Sequence, residues 1–361
     1  MTLESVQADH FRIALPEVLS DSTHGDISHF ELVTVRLRAA DGAEGLGYTY
    51  TVDAGGAAVH SLIARDLAPI LTGRDSSRIE QLWQLMWWHL HFVGRGGLAA
   101  FAVAAVDTAL WDLRARRAGL PLWRLLGGHD PKVRAYAGGI DLQFPLERLL
   151  EQTEGNLARG FRAIKMKVGR PLLREDLARV AAMRALLGPD LPLMVDANMR
   201  WRVDEAIRAS RALAGHDVFW LEEPTIPDDV AGHAQIAQDG PLPVATGENF
   251  HSLHEFAQMI AAGGVAFPEP DLATCGGVTV WLKVAHLAEA NNLPVTSHGV
   301  HDLHVHLLAA VPNSSYLEVH GFGLERFVEQ PLVIDDGFAL APERPGHGVT
   351  LDWAGLERWR A

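Results

Sequence analysis

From Val133 to Glu318, short apolar runs alternate with longer stretches whose apolar residues recur every three to four positions. The short runs read as strands: VRAYAGG from Val133, FRAIKMKVG from Phe161, LPLMVDAN through Asp196, VFWLEEP through Glu222 and LPVATGEN through Glu248. VAFPEPD from Val265, LPVTSHG from Leu293 and SYLEVHG from Ser315 complete a series of eight. Between them lie helical periods such as LARVAAMRALLG from Leu177, DEAIRASRALAG from Asp204 and VTVWLKVAHLAEANN from Val278. Strands alternating with helices call for a parallel sheet with right-handed crossovers, and eight such units close a (β/α) barrel.

The first 130 residues follow another rhythm. FRIALP, FELVTVRLRAADG and GLGYTYTV predict a three-stranded antiparallel meander, with turns at DG and Gly45. A helical section from about Ala57 to Leu126 follows, including AAFAVAAVDTALWDLRARRAG. The expected organisation is an α/β chain: an N-terminal α+β capping unit over 1–130, a barrel over 131–330, and a tail over 331–361. The tail, PLVIDDGFALAP and then PGHGVTLDW, reads as strand–turn–strand and is expected to return to the first unit. The joint near Gly127–Pro131 is short, so the two units should pack together.

With 361 residues, 48% of them apolar, the chain is long enough for a large core. Its formal charge of −14 argues against nucleic acid or an anionic membrane as partner. An anionic small molecule is still allowed, because a metal and a few lysines make one cleft locally positive. No basic-then-apolar leader opens the chain, and no apolar stretch is long enough to span a bilayer. Cys275 is the single cysteine, which excludes an intramolecular disulfide and points to the cytoplasm.

Chemistry enters at the strand ends. Asp196, Glu222 and Glu248 recur at a period of 26 residues, each where an apolar run stops. One such acid usually caps the next helix. Three in register at a barrel mouth make a metal site, and an all-oxygen set favours Mg²⁺ over zinc, with Mn²⁺ as the substitute. Lys165 and Lys167 share one side of the preceding strand, roughly 6.5–7 Å apart. Mutual repulsion and a nearby cation are expected to push a lysine pKa down, toward use as a general base. Asp271 and His298, on the next two strands, form a carboxylate–imidazole pair able to move a proton. Glu318 ends the eighth strand.

Other residues carry less. His301, His304 and His306 suit the start of a helix better than a zinc site. Cys275, beside Gly276 and Gly277, has no designated base, and Glu223 is expected to point away from Glu222, as structural.

Taken together, KMK at Lys165–Lys167, VDAN at Asp196–Asn198, EEP at Glu222–Pro224, GEN at Glu248–Asn249, Asp271, SHG with His298 and LEVH with Glu318 resemble the mandelate racemase subgroup of the enolase superfamily. The resemblance covers nearly the whole chain. It implies that Asp196, Glu222 and Glu248 bind one Mg²⁺ per subunit and that Lys167 is a general base. It further implies that Lys165 contacts the substrate carboxylate, that His298–Asp271 is the opposing acid/base, and that Glu318 donates a hydrogen bond to that carboxylate, with Asn198 in support.

Specificity should come from the cap. The polar segment LSDSTHGDISHF from Leu19, with His24, suits a hydroxyl-rich sugar acid and should be a mobile lid loop. The segments GYTYTVDAGG, with Tyr50, and HFVGRGG resemble those of galactarate/talarate-type acid sugar dehydratases, and Arg95 would pair with the distal carboxylate of a diacid. The expectation is therefore a Mg²⁺-dependent acid sugar dehydratase, an expected homo-oligomer, acting on a small-molecule carboxylate. A racemase or epimerase, a cycloisomerase and a non-catalytic sugar-acid binding protein are the alternatives.

Overall fold

The computed structural model describes residues 1–320 and 322–361. Strands β1 (Leu3–Asp21), β2 (Gly25–Ala39) and β3 (Glu44–Val52) form the expected antiparallel meander. The helix Leu98–Ala118 lies on it, and two glycines set the approach: a Cβ at Gly45 would sit 2.3 Å from the Ala109 carbonyl oxygen, and one at Gly47 2.1 Å from that of Ala105. Only a residue without a side chain lets the helix backbone come so near.

The polar segment from Leu19 is not an irregular loop, as the sequence suggests. After a bulge at Ala14–Leu19, β1 resumes pairing with β2 through Leu19↔Ile27, Ser20↔Asp26 and Asp21↔Gly25. The bulge bends the ribbon, and the Asp21 carboxylate accepts the backbone N–H groups of Thr23 and His24 to close its turn. The lid is thus a hairpin tip.

The barrel begins with β4 (Lys132–Gly138), β5 (Ile164–Lys167), β6 (Leu193–Asp196), β7 (Val218–Glu222), β8 (Val244–Thr246) and β9 (Phe267–Pro268), all parallel. The run LPVTSHG, read as a full strand, reduces to a bridge: Thr296 N–H donates to Pro268 and Ser315 N–H to Val295. Then β10 (Tyr316–Val319) pairs in parallel with β4 and closes the barrel. Among the described residues no helix is long and apolar enough to cross a membrane.

The tail divides. Strands β11 (Ile334–Asp335) and β12 (Phe338–Leu340) form a hairpin that pairs with β4, so the first half adds to the barrel and not to the cap. The second half does reach the cap: Gly346 exchanges hydrogen bonds with Leu120 and Leu122, and Arg360 pairs with Asp9.

Candidate active site

Side chains alternate across a strand, and that alternation builds the site. Along β6, β7 and β10 the inward pairs are Met194 and Asp196, Trp220 and Glu222, and Tyr316 and Glu318. Tyr136, Met194, Trp220 and Tyr316 pack as one buried cluster, an apolar floor one pleat below the polar groups. The Trp220 indole N–H donates to Glu222 at 3.0 Å, so the floor also orients a site carboxylate.

Register sets the lateral order. Lys167 lies beside Asp196, and Asp196 beside Glu222. Asp196, Glu222 and Glu248 each offer an oxygen within 4.8 Å of the others. The donor set is all carboxylate, and Glu248 Oε2 is buried without a hydrogen-bond donor among the described residues. His298 Nε2 stands 3.1 Å from that oxygen, but not in hydrogen-bond alignment. A buried carboxylate oxygen without a hydrogen bond, beside two further carboxylates, fits a hard divalent cation.

The lysines lie against these acids. Lys167 Nζ donates to Asp196, and Lys165 Nζ to Glu222, with Glu318 at 2.7 Å from Lys165. This reverses one expectation. Burial alone would lower the Lys167 pKa, but the Asp196, Glu248 and Glu222 carboxylates together override it and the net shift is upward. Lys165 is raised likewise, Glu222 and Glu318 overcoming its burial. Burial raises Glu222 to about 8, whereas at Glu318 Lys165 and the neighbouring histidines together outweigh burial and hold it well below its ordinary range. Glu318 in this arrangement is therefore an acceptor; its expected role as donor to a carboxylate requires it to take up a proton.

His298 Nδ1 is 3.1 Å from Asp271 Oδ2, and the Tyr50 hydroxyl donates to the same oxygen at 2.8 Å. Burial opposes protonation of His298, but the charges of Glu248 and Glu318 and the Asp271 contact raise its pKa to about 10. Asn198, at φ 40°, donates its backbone N–H to Asp196. A cavity of about 420 Å³ joins Lys167, Asn198, Glu248, His298 and Glu318 to His24 and Tyr50 from the cap. His24 Nδ1 is 2.8 Å from Asp21 Oδ2. The hairpin tip is tied down at the β6 end, where Ser22 donates to the Ala197 carbonyl at 2.6 Å and Thr23 to that of Asn198.

Two expectations need correction, and one cleft residue is added. Arg95 is exposed and lines a separate cavity of about 390 Å³ with Trp83, Trp87 and Trp88, not the carboxylate cleft. Glu223 does not point away: the strand ends at Glu222, φ is 39° at Glu223, and Asn249 bridges its carboxylate to that of Glu248. His320, which the sequence reading passed over, lines the cleft beside Glu318. Carrying the pleat two residues past Glu318 would have found it. His304 and His306 bond backbone groups of Leu272, Gly299, Trp123 and His347, as structural histidines do.

Comparison with known proteins agrees with this architecture. Residues 4–127 match the mandelate racemase/muconate lactonizing enzyme N-terminal domain, and residues 148–355 match the enolase C-terminal domain-like family. The chain belongs to the enolase superfamily. It is 56% identical to a 3,6-anhydro-alpha-L-galactonate cycloisomerase of Streptomyces coelicolor, over 99% of both chains. A racemase structure from the same organism, with bound magnesium, superposes with a TM-score of 0.98 at 55% identity, covering 99% of this chain and 100% of that one. An L-talarate dehydratase from a Polaromonas species, complexed with Mg and L-glucarate, gives a TM-score of 0.94 at 37% identity, covering 100% and 97%.

Proposed function

We propose that this protein is a Mg²⁺-dependent enzyme that removes the proton α to the carboxylate of a sugar acid and expels the oxygen on the β-carbon. The supporting observation is the set of proton-moving groups, Lys167 and the His298–Asp271 pair, flanking three clustered carboxylates in one cleft. Asp196, Glu222 and Glu248 would hold Mg²⁺, which when bound supplies positive charge to the substrate carboxylate as negative charge builds there. Lys165 adds a fixed ammonium to the same end. Lys167 must first leave Asp196 and give up a proton to solvent; its neutral Nζ then takes the α-proton. His298 Nε2 delivers a proton to the leaving oxygen, with Asp271 and the Tyr50 hydroxyl fixing the ring. The cap hairpin and Phe322 keep water out.

The leaving group separates two reactions. In a 3,6-anhydro sugar acid the β-oxygen is the ring ether. Breaking that bond opens the ring, the oxygen stays attached through C6, and the 2-keto-3-deoxy product is an isomer of the substrate. The 56% relative over the full chain favours this cycloisomerase reading. In an open-chain acid the β-oxygen leaves as water, the dehydratase reading, which the talarate dehydratase likeness supports. Incubation with Mg²⁺ and each substrate in ²H₂O decides. A product equal in mass to the substrate, apart from deuterium, marks the cycloisomerase; one a water lighter marks the dehydratase. Interconversion of α-epimers without any keto acid would put a racemase in place of both.

The tethered hairpin gives a further expectation. Two hydrogen bonds at about 1 kcal/mol each hold the tip, so Ser22→Ala with Thr23→Val should raise KM roughly tenfold or more. Amide exchange over 19–27 should quicken. Unchanged KM and exchange would mean that these bonds do not govern closure.

A further inference from the structure

His320 is a polar cleft residue without a task in the reaction above. His320, just past the end of β10, and Phe322 both line the cleft. His320 Nε2 stands 3.4 Å from Glu318 Oε2, and its ring centroid lies 5.3 Å from that of His298. Phe322 packs edge-on against it at 5.2 Å and fixes its plane. Nδ1 is buried and has no partner among the described residues. A buried N–H without an acceptor is rarer and costlier than a buried lone pair without a donor. The ring proton therefore belongs on Nε2, the nitrogen that faces Glu318. Burial lowers the ring's pKa to about 3 despite Glu318, with His298 and the two lysines adding to the effect, so the imidazole is neutral.

We propose that His320 is a catalytic hydrogen-bond donor to the departing oxygen. On the elimination reading proposed above, the α C–H bond gives its proton to Lys167, and the β C–O bond gives its electron pair to oxygen. His298 supplies the proton that neutralises that oxygen. His320 keeps its own proton and only shares it, through Nε2–H, while charge on the oxygen is greatest. A neutral, preplaced donor of this kind acts on the bond-breaking step and leaves α-proton removal alone.

The test uses the full-length Mg²⁺-loaded protein, a sugar acid that the wild type converts, and ²H₂O. His320→Phe keeps a flat ring and removes the donor, whereas His320→Asn retains an N–H. His320→Phe is expected to slow product formation by roughly 10²-fold while deuterium still enters the α-position, so the ratio of exchange to product rises. His320→Asn should recover part of the loss. Parallel loss of exchange and product in His320→Phe, with the Mg²⁺-induced rise in Tm intact, would show a binding or structural role and overturn the proposal. So would product formation within twofold of wild type. His298, Glu318 and His320 place ligand atoms within 4.8 Å of one another, so metal content is measured as well. A second metal in the wild type that His320→Phe loses would make His320 a ligand and not a donor. If the wild type gives neither exchange nor product with any sugar acid, the elimination reading itself has failed and takes this inference with it.

Discussion

Asp196→Asn should lower kcat/KM by about 10³-fold while leaving the apo fold nearly unchanged. A metal at a reacting carboxylate contributes several kcal/mol of charge stabilisation, and about 4 kcal/mol corresponds to about 10³ in rate. By register Asp196 is the ligand next to the lysine strand, with Lys167 on one side and Glu222 on the other. The fold should tolerate the change for two reasons. The Asn198 N–H and the Lys167 ammonium bond different oxygens of Asp196, and asparagine keeps one of the two. Glu222 and Glu248 also favour the Lys167 ammonium, so the substitution does not leave that charge buried without a counter-ion. The measurement is Tm with and without Mg²⁺ beside steady-state rates. Ligand binding to the native state raises Tm by mass action; the wild type should show that rise and the variant should not. A variant that keeps both the rise and the rate would remove Asp196 from the metal site.

The parts legible in the sequence were those that a strand period encodes. Asp196, Glu222 and Glu248 stand one strand–helix unit apart, so their convergence follows from the barrel alone. Asp271 and His298 are legible from the same period, although β9 stops at Pro268 and the next unit reduces to a bridge. What escaped depends on neighbours distant in the chain. The direction of the Lys167 pKa shift is not legible because it is set by Asp196, Glu248 and Glu222 together against burial, and a sequence does not show how near those carboxylates come. The lid reads as a loop because its residues are mostly polar, and Ile27 is the one apolar residue that its pairing buries between Ser20 and His29. LPVTSHG looked like a strand from its composition, but only Val295 and Thr296 find partners on both sides. Arg95 was placed by resemblance of its segment, and the chain carries its side chain over the neighbouring tryptophan-lined cavity. The tail shares its turn-rich composition along its length, so nothing in it signals that β12 joins the barrel while Arg360 joins the cap.

His298→Asn and Lys167→Ala are expected to fail at different steps, and the difference assigns the bases. Lys167 enters the cleft from β5, beside Asp196, whereas His298 enters from beyond β9, held by Asp271 and Tyr50. The two groups thus approach a substrate seated at the carboxylate cluster from different sides. If Lys167 takes the α-proton and His298 serves the leaving oxygen, His298→Asn should cut keto-acid formation by about 10²–10⁴-fold. Deuterium exchange at the α-carbon should survive, because Lys167 Nζ still removes and returns that proton. Lys167→Ala should abolish both, since without proton removal there is no elimination to observe. Asp271→Asn should behave as a milder His298 variant, because it disturbs ring orientation and tautomer while leaving the imidazole in place. The exchange measurement, followed by NMR of the α-proton, matters more than the rates. Loss of exchange in His298→Asn, with exchange retained in Lys167→Ala, would reverse the assignment and make the histidine the base. Equal loss in both, with substrate still bound, would mean that proton removal and departure of the oxygen occur in one concerted event in which neither base acts without the other.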